Sequence, residues 1–201
     1  MEITEGIEAE LGGTPKRIAI FITVIGLFLA IAHTMAQGAQ TQSIASNVQA
    51  SNMWSFYQAK TIRQTMLKTA AEQMEIDVAL AKDPAVKARL EKRVADWKFD
   101  VARYESEPKS NEHHENLGEG RKELRERAAE AEAKRDLFTN QYHCYEIGAA
   151  AFQIAIVIAG VYLITQIMPL LLTVGGLVVI GLLFSALGML SPATIHLLLP
   201  H

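Results

Sequence analysis

Two long apolar stretches bracket a charged middle. Ile18 to Met35 reads IAIFITVIGLFLAIAHTM, with no charge and only Thr23, His33 and Thr34 polar. A helix of about 18 residues is what it takes to cross the roughly 30 Å of hydrocarbon in a bilayer. The pattern therefore predicts a first transmembrane helix over 18–35. A second apolar region runs from Gly148 to Leu190 without a charge, about twice what one crossing needs. Pro169 lies near its midpoint and lacks the N–H that a continuing helix would use. It divides the region into spans at 148–167 and 170–190, joined by a tight turn.

The intervening residues, 36–147, contain few helix breakers and read as a helical extramembrane domain. Ala59, Ile62, Met66, Ala70, Met74 and Val78 recur every three to four residues, predicting the buried face of a helix from about 40 to 82. Asp83-Pro84 interrupts it, with Asp as N-cap and Pro at the first position of a second helix. The stripe of that helix is Val86, Leu90, Val94, Trp97, Val101 and Tyr104, and Pro108 ends it. Pro108 to Gly120 is polar and carries two glycines, which reads as a loop. In the third helix Leu117, Leu124, Ala131, Phe138 and Tyr145 fall at intervals of seven, with Ala128 and Tyr142 between them. That spacing predicts a coiled-coil-like seam, with an intramolecular helical bundle as the alternative, and Arg121 and Arg135 at intermediate positions either weaken the seam or fall at a wet edge of it. At 1.5 Å per residue the three helices measure roughly 63, 34 and 43 Å. If the first rises and the second descends, the loop has to climb before the third comes down; a sideways kink at Pro84 is the alternative.

Charge follows the same division. No Asp, Glu, Lys or Arg occurs between Arg17 and Lys60 and none follows Glu146, while Lys60 to Glu146 holds 17 of the 19 basic residues. A net charge of −3 supplies no basic field for phosphates, so a nucleic-acid partner is not expected. Membrane lipid is. Lys16 and Arg17 precede the first span and residues 36–59 carry no cation, which places the amino terminus in the cytoplasm and the middle domain outside. A cleaved signal peptide is the competing reading of the first span, given the Ala36-Gln37-Gly38 pattern after it. The single cysteine, Cys144, rules out a disulfide within one chain.

The least ordinary stretch is Gln37 to Gln58, with five Gln, two Asn, four Ser, one Thr and no charge. Gln37, Gln40, Gln42, Asn47, Gln49 and Asn52 are the candidate assembly or pore-lining residues. Amides are donors and acceptors at once, so identical copies can meet around a symmetry axis without the repulsion of like charges. The bland reading is a solvated helix with Trp54, Phe56 and Tyr57 against lipid or core. Small residues at four-residue spacing, Gly26 with Ala30 and Gly181 with Ser185, are candidate span-packing positions, as are Ala151, Ala155 and Ala159.

Groups that could carry chemistry are few. Glu112, His113, His114 and Glu115 have metal-ligand types, but adjacent histidines in a loop lack the spacing that puts two on one helical face. His143, Cys144 and Glu146 diverge around a helix and do not form a nucleophile pair. His33 is an ionisable group near the end of a span, and Gln153 and Gln166 read as interhelical hydrogen-bonding groups. No catalytic, cofactor-binding or metal-ligating residue is assigned, and no cofactor is expected. At the amino terminus, 1–17, Ile3, Ile7 and Leu11 line one face of a short acidic helix that suits a protein contact. Residues 191–201 form a short tail.

The acidic amino terminus, the first span, the sequence ASNMWSFYQAKTIRQ from Ala50 to Gln64 and the closing apolar hairpin together resemble a bacterial membrane-protein family, domain of unknown function 4337. Its most specific piece is WSFYQAK, Trp54 to Lys60. The resemblance implies a protein of the bacterial inner (cytoplasmic) membrane and carries over no activity. The expectation is thus an all-α membrane protein with three transmembrane helices and a helical domain inserted between the first two. It is non-enzymatic and homo-oligomeric, with a pore as one form of the assembly. The alternative is an adaptor or regulatory subunit whose helical domain binds another envelope protein.

Overall fold

The computed structural model describes residues 2–107 and 118–190, with side chains from Lys16 onward. Among these residues the regular elements are all helices: α1 (Glu2–Leu80), α2 (Pro84–Glu105), α3 (Arg121–Thr165) and α4 (Met168–Leu190). The expectation for Ile3, Ile7 and Leu11 lies outside the described side chains. Those for Glu112, His113, His114 and Glu115, and the tail 191–201, lie outside the described residues.

The first difference from the sequence reading is that the first span and the first helix of the middle domain are one element. Between Lys16 and Leu80 no proline interrupts the backbone ladder. The helix stops where predicted. Asp83 precedes a proline and is therefore extended, with φ −82° and ψ 121°, and its carboxylate accepts from the Ala85 N–H at 2.8 Å.

The chain divides into two compact units, Met1–Ile44 with Arg135–His201, and Ala45–Lys134. The first holds three helices long and apolar enough to cross a membrane. Their apolar stretches are 17% (α1), 39% (α3) and 11% (α4) buried, so α3 is the element the other two pack on. The core is Ile25, Ala32, Ala149, Phe152, Ala155, Ala159 and Val174. Small side chains permit this packing. Ala36 and Ala39 of α1 form a shallow bed for Tyr145 of α3, and Phe28 stacks on Phe152 with ring centroids 6.0 Å apart.

The turn between α3 and α4 is not at Pro169. α3 ends at Thr165, and Gln166 takes a left-handed conformation, φ 55°, from which its N–H reaches back to the Tyr162 carbonyl at 2.8 Å. That single backbone bond is the αL helix cap, more often made by glycine. Pro169 sits inside the first turn of α4, where a missing N–H costs nothing.

The second unit is built on α1. Lys98 of α2 pairs with Glu75, while Glu105, seven residues further on, lies beside Gln64, so α2 runs antiparallel to α1. α2 ends there, and α3 begins at the same level, with Arg121 against Gln64 and Glu132 against Trp54. No climb is needed between them. Ser106 and Glu123 are hydrogen-bonded, so the ends of α2 and α3 are held together and the two helices cover consecutive lengths of one α1 face.

That face differs from the predicted one. A run of buried or half-buried positions of α1 in this unit, Ala50, Met53, Tyr57, Lys60, Gln64, Leu67, Ala71, Met74 and Val78, advances by alternating three- and four-residue steps, and Ser46, Trp54, Thr61 and Ala70 are covered as well. Of the predicted stripe, Met74 and Val78 belong to it and Ala70 borders it. Ile62 and Met66 instead point away, 57% and 66% exposed. The hydropathy pattern was misleading because Lys60 and Gln64 occupy seam positions. The α2 stripe is as predicted from Leu90 through Tyr104, with Val94 buried and Val86 exposed. In α3, Leu124, Ala128, Ala131 and Tyr145 are buried and Phe138 and Tyr142 half-buried, all within a single chain.

Candidate functional site

The densest polar constellation among the described residues lies where α1, α2 and α3 meet. Tyr57, Lys60 and Gln64 of α1 share one helical face by their three- and four-residue spacing. Arg121, the first residue of α3, reaches all the way into that face. Its Nη1 donates to the Gln64 side-chain oxygen and to Glu105 Oε2 (3.1 Å), and its Nη2 donates to the Tyr57 hydroxyl (3.0 Å). The guanidinium also lies 5.0 Å from the centre of the Tyr57 ring. Gln64 completes the network by donating its Nε2 to the Val101 carbonyl and to Glu105, both at 3.1 Å. Arg121 is therefore no wet-edge residue but a seam residue of α3, held by α1 and α2 together.

Lys60 is the second anchor. Its side chain is only 14% exposed, and its ammonium lies 3.7 Å from both Glu107 and Glu119, and 5.6 Å from the Tyr104 ring centre. One cation thus ties the second residue after α2 to the second residue before α3. A third tie is Glu123, which accepts from the Ser106 hydroxyl at 2.6 Å and from the Glu107 N–H at 3.3 Å. Partial burial pushes the Glu123 carboxyl up, but those two hydrogen bonds, its own backbone N–H and the nearby Lys122 together outweigh burial and hold it below the usual carboxylate range.

Two glycines make room for this junction. A Cβ at Gly118 would stand 2.7 Å from the Glu107 carbonyl oxygen, and one at Gly120 would stand 2.6 Å from Ser106 Cα. Neither is a flexible side-chain end, so a larger residue would push α2 and α3 apart. Trp54 extends the contact along α3 by donating its indole N–H to Glu132 at 2.8 Å.

The cations of this cluster face its carboxylates, and together these contacts fasten three helix segments. Three side chains of Trp54-Ser-Phe-Tyr-Gln-Ala-Lys60 point into it, namely Trp54, Tyr57 and Lys60, which gives that stretch a physical role. Hydropathy could not have revealed them. The usable signal was large or polar residues at 54, 57, 60 and 64, too regular for a solvated face.

The other candidates are dispersed. Gln37, Gln40, Gln42, Asn47, Gln49 and Asn52 are all exposed. His33 is exposed, with its Nε2 3.0 Å from the Gln37 amide nitrogen. Gly181 and Ser185 face α3, where a Cβ on Gly181 would meet Phe152 at 2.6 Å and one on Gly148 would meet Ser185 Oγ at 2.7 Å. Gly26 and Ala30 face open space instead: nothing lies within 4 Å of a Cβ on Gly26, and Ala30 is exposed. Ala151, Ala155 and Ala159 are buried in the helix packing. Cys144 is buried, 1% exposed, and His143 lies 3.6 Å from Glu146 without approaching a reactive arrangement. Gln153 is exposed, and Gln166 forms the α3 cap rather than an interhelical link. Among the described residues no group of three His, Cys, Asp or Glu side chains could hold a metal ion.

This combination defines a class: an all-helical chain with three membrane-length helices and a helical unit fastened by a polar junction. The particular family follows from the match of its model over residues 14–191: the chain belongs to the family described as Domain of unknown function (DUF4337). No curated protein and no solved structure matches the chain.

Proposed function

We propose that this is a non-enzymatic integral membrane protein that assembles with copies of itself, with the uncharged part of α1 turned toward its neighbours. One observation carries the reading. Within the charge-free length of α1, the Ala and Ser positions at 36, 39, 43, 46 and 50 are covered, whereas all six candidate amides are exposed. A charge-free surface with both donors and acceptors is self-compatible in a symmetric assembly. The exposed large side chains of the spanning helices, such as Leu172, Val179 and Leu183, suit lipid and not water. The setting is the bacterial inner membrane, with the amino terminus cytoplasmic and the residues between the first two spans outside.

Mass photometry of the detergent-solubilised chain tests this: a single multiple of 22.1 kDa is expected, and a monomer at all concentrations overturns it. A water-filled path along the axis is the stronger form of the reading. Ion flux in liposomes from a confirmed ring supports it, and an impermeable ring removes it.

A second reading has its own observation. Ile62 and Met66 of α1 and Phe99 of α2 (71% exposed) leave apolar surface uncovered on the polar unit. Such surface suits an adaptor whose helices bind another envelope protein. A monomer that enlarges only with a copurifying protein would favour it.

A further inference from the structure

Gly26, Ala30, Gln37, Thr41 and Ile44 follow one another along α1 at steps of four, seven, four and three residues, so they share a face. It lies away from Ile25, Ala32, Ala36 and Ala39, the side that packs in the chain's own core. We infer that this face is where α1 of one chain packs in parallel against α1 of a second copy. The inference rests on the assembly proposed above and names its contact.

Four features of the face point to a helix, and to a copy of this one. Gly26 has open space beside it and Ala30 is exposed, so a neighbouring backbone can approach closely, the arrangement that holds helices together in lipid. The hydroxyls on and beside the face are already satisfied by their own helix. Thr23 donates to the Ala19 carbonyl (2.9 Å), Thr34 to Ala30 (2.8 Å) and Thr41 to Gln37 (2.9 Å), so covering them strands no donor. Below them Ile44, 59% exposed, supplies apolar contact where the helix has become amide-rich.

The fourth feature selects the partner. Copies in one bilayer insert in the same sense, so a symmetric pair sets each residue against itself. Any charged residue on the face would then meet a like charge, and between Arg17 and Lys60 there is none. Gln37 offers a carbonyl oxygen as well as its NH₂ group, of which one contact goes to His33. The amide is thus complementary to the same amide on the neighbour. An acidic or basic partner would find nothing here to recognise.

Disulfide trapping of the full chain in membranes, in a Cys144→Ala background, tests the contact. Gln37→Cys and Ile44→Cys should each be captured mostly as a homodimer under mild oxidation, while Gln42→Cys, exposed on another side of α1, should stay largely monomeric. Gln37→Lys should abolish the trapped Ile44→Cys dimer by setting like charges together, and Gln37→Asn should preserve it. If mass photometry shows the oligomer but trapping fails at 37 and 44, or succeeds at 42 alone, the contact is overturned and the assembly stands. If every variant and the parent chain are monomeric, both fall.

Discussion

Arg121 and Tyr57 meet twice, through a 3.0 Å hydrogen bond from the guanidinium to the phenol oxygen and through the guanidinium lying 5.0 Å from the ring centre. The two residues are 64 apart in sequence, and their pairing sets where α3 begins on α1. Tyr57→Phe removes the first contact and keeps the second. It should cost about 1 kcal/mol, whereas Arg121→Ala, which also strips Gln64 and Glu105 of a partner, should cost about 2 kcal/mol or more. Denaturant unfolding followed by circular dichroism in detergent reads both, and equal costs would contradict the double contact.

Gly181 and Gly176 lie on the same helix and should respond oppositely to alanine. Gly181→Ala drives a methyl into Phe152 and should lower stability by about 1–3 kcal/mol. At Gly176 nothing lies within 4 Å, and Gly176→Ala should stabilise by up to about 1 kcal/mol through helix propensity. Paired thermal melts in one detergent decide it.

Glu123 should make the α2–α3 junction acid-sensitive. Its carboxyl titrates below the usual range in the folded chain, so its contribution is present in full above the ordinary glutamate value, about 4.3, and is lost as pH falls through the lower folded value. Ser106→Ala removes a hydrogen bond to the carboxylate and should flatten that loss. Limited proteolysis across residues 106–120 as a function of pH measures it, and identical profiles for parent and variant would refute the assignment.

Gln166 carries a left-handed backbone that costs a non-glycine residue about 1 kcal/mol. Gln166→Gly should therefore stabilise the α3–α4 turn, and Gln166→Val should destabilise it by more, because branching at Cβ worsens the crowding. Melting temperatures should rank glycine, glutamine, valine from highest to lowest.

Burial also decides how topology can be probed. Cys144 is 1% exposed, so its native thiol should react with maleimide only after denaturation. Gln58→Cys is exposed on α1, and a membrane-impermeant maleimide should label it from the outer face of intact cells. Labelling only after permeabilisation would reverse the proposed orientation.

The sequence by itself determined the helical class, the three membrane-length helices, the Asp83-Pro84 boundary and the α2 stripe. Each rests on local physics: backbone bonds must close within a segment in lipid, proline removes a donor, and in α2 the covered face follows the apolar period from Leu90 to Tyr104. Only the tertiary structure decided which face of α1 is inside. Ile62 and Met66 follow the hydrophobic period yet face out, and Lys60 and Gln64 are covered because Arg121, Glu105, Glu107 and Glu119 arrive from residues 41 to 59 positions away to satisfy them. A polar side chain can occupy a seam when distant partners complete its hydrogen bonds and charge, and those partners cannot be read from periodicity along one helix. The same holds for the small residues: one spacing motif serves Gly181 inside the chain and leaves Gly26 open, and only packing tells the two apart.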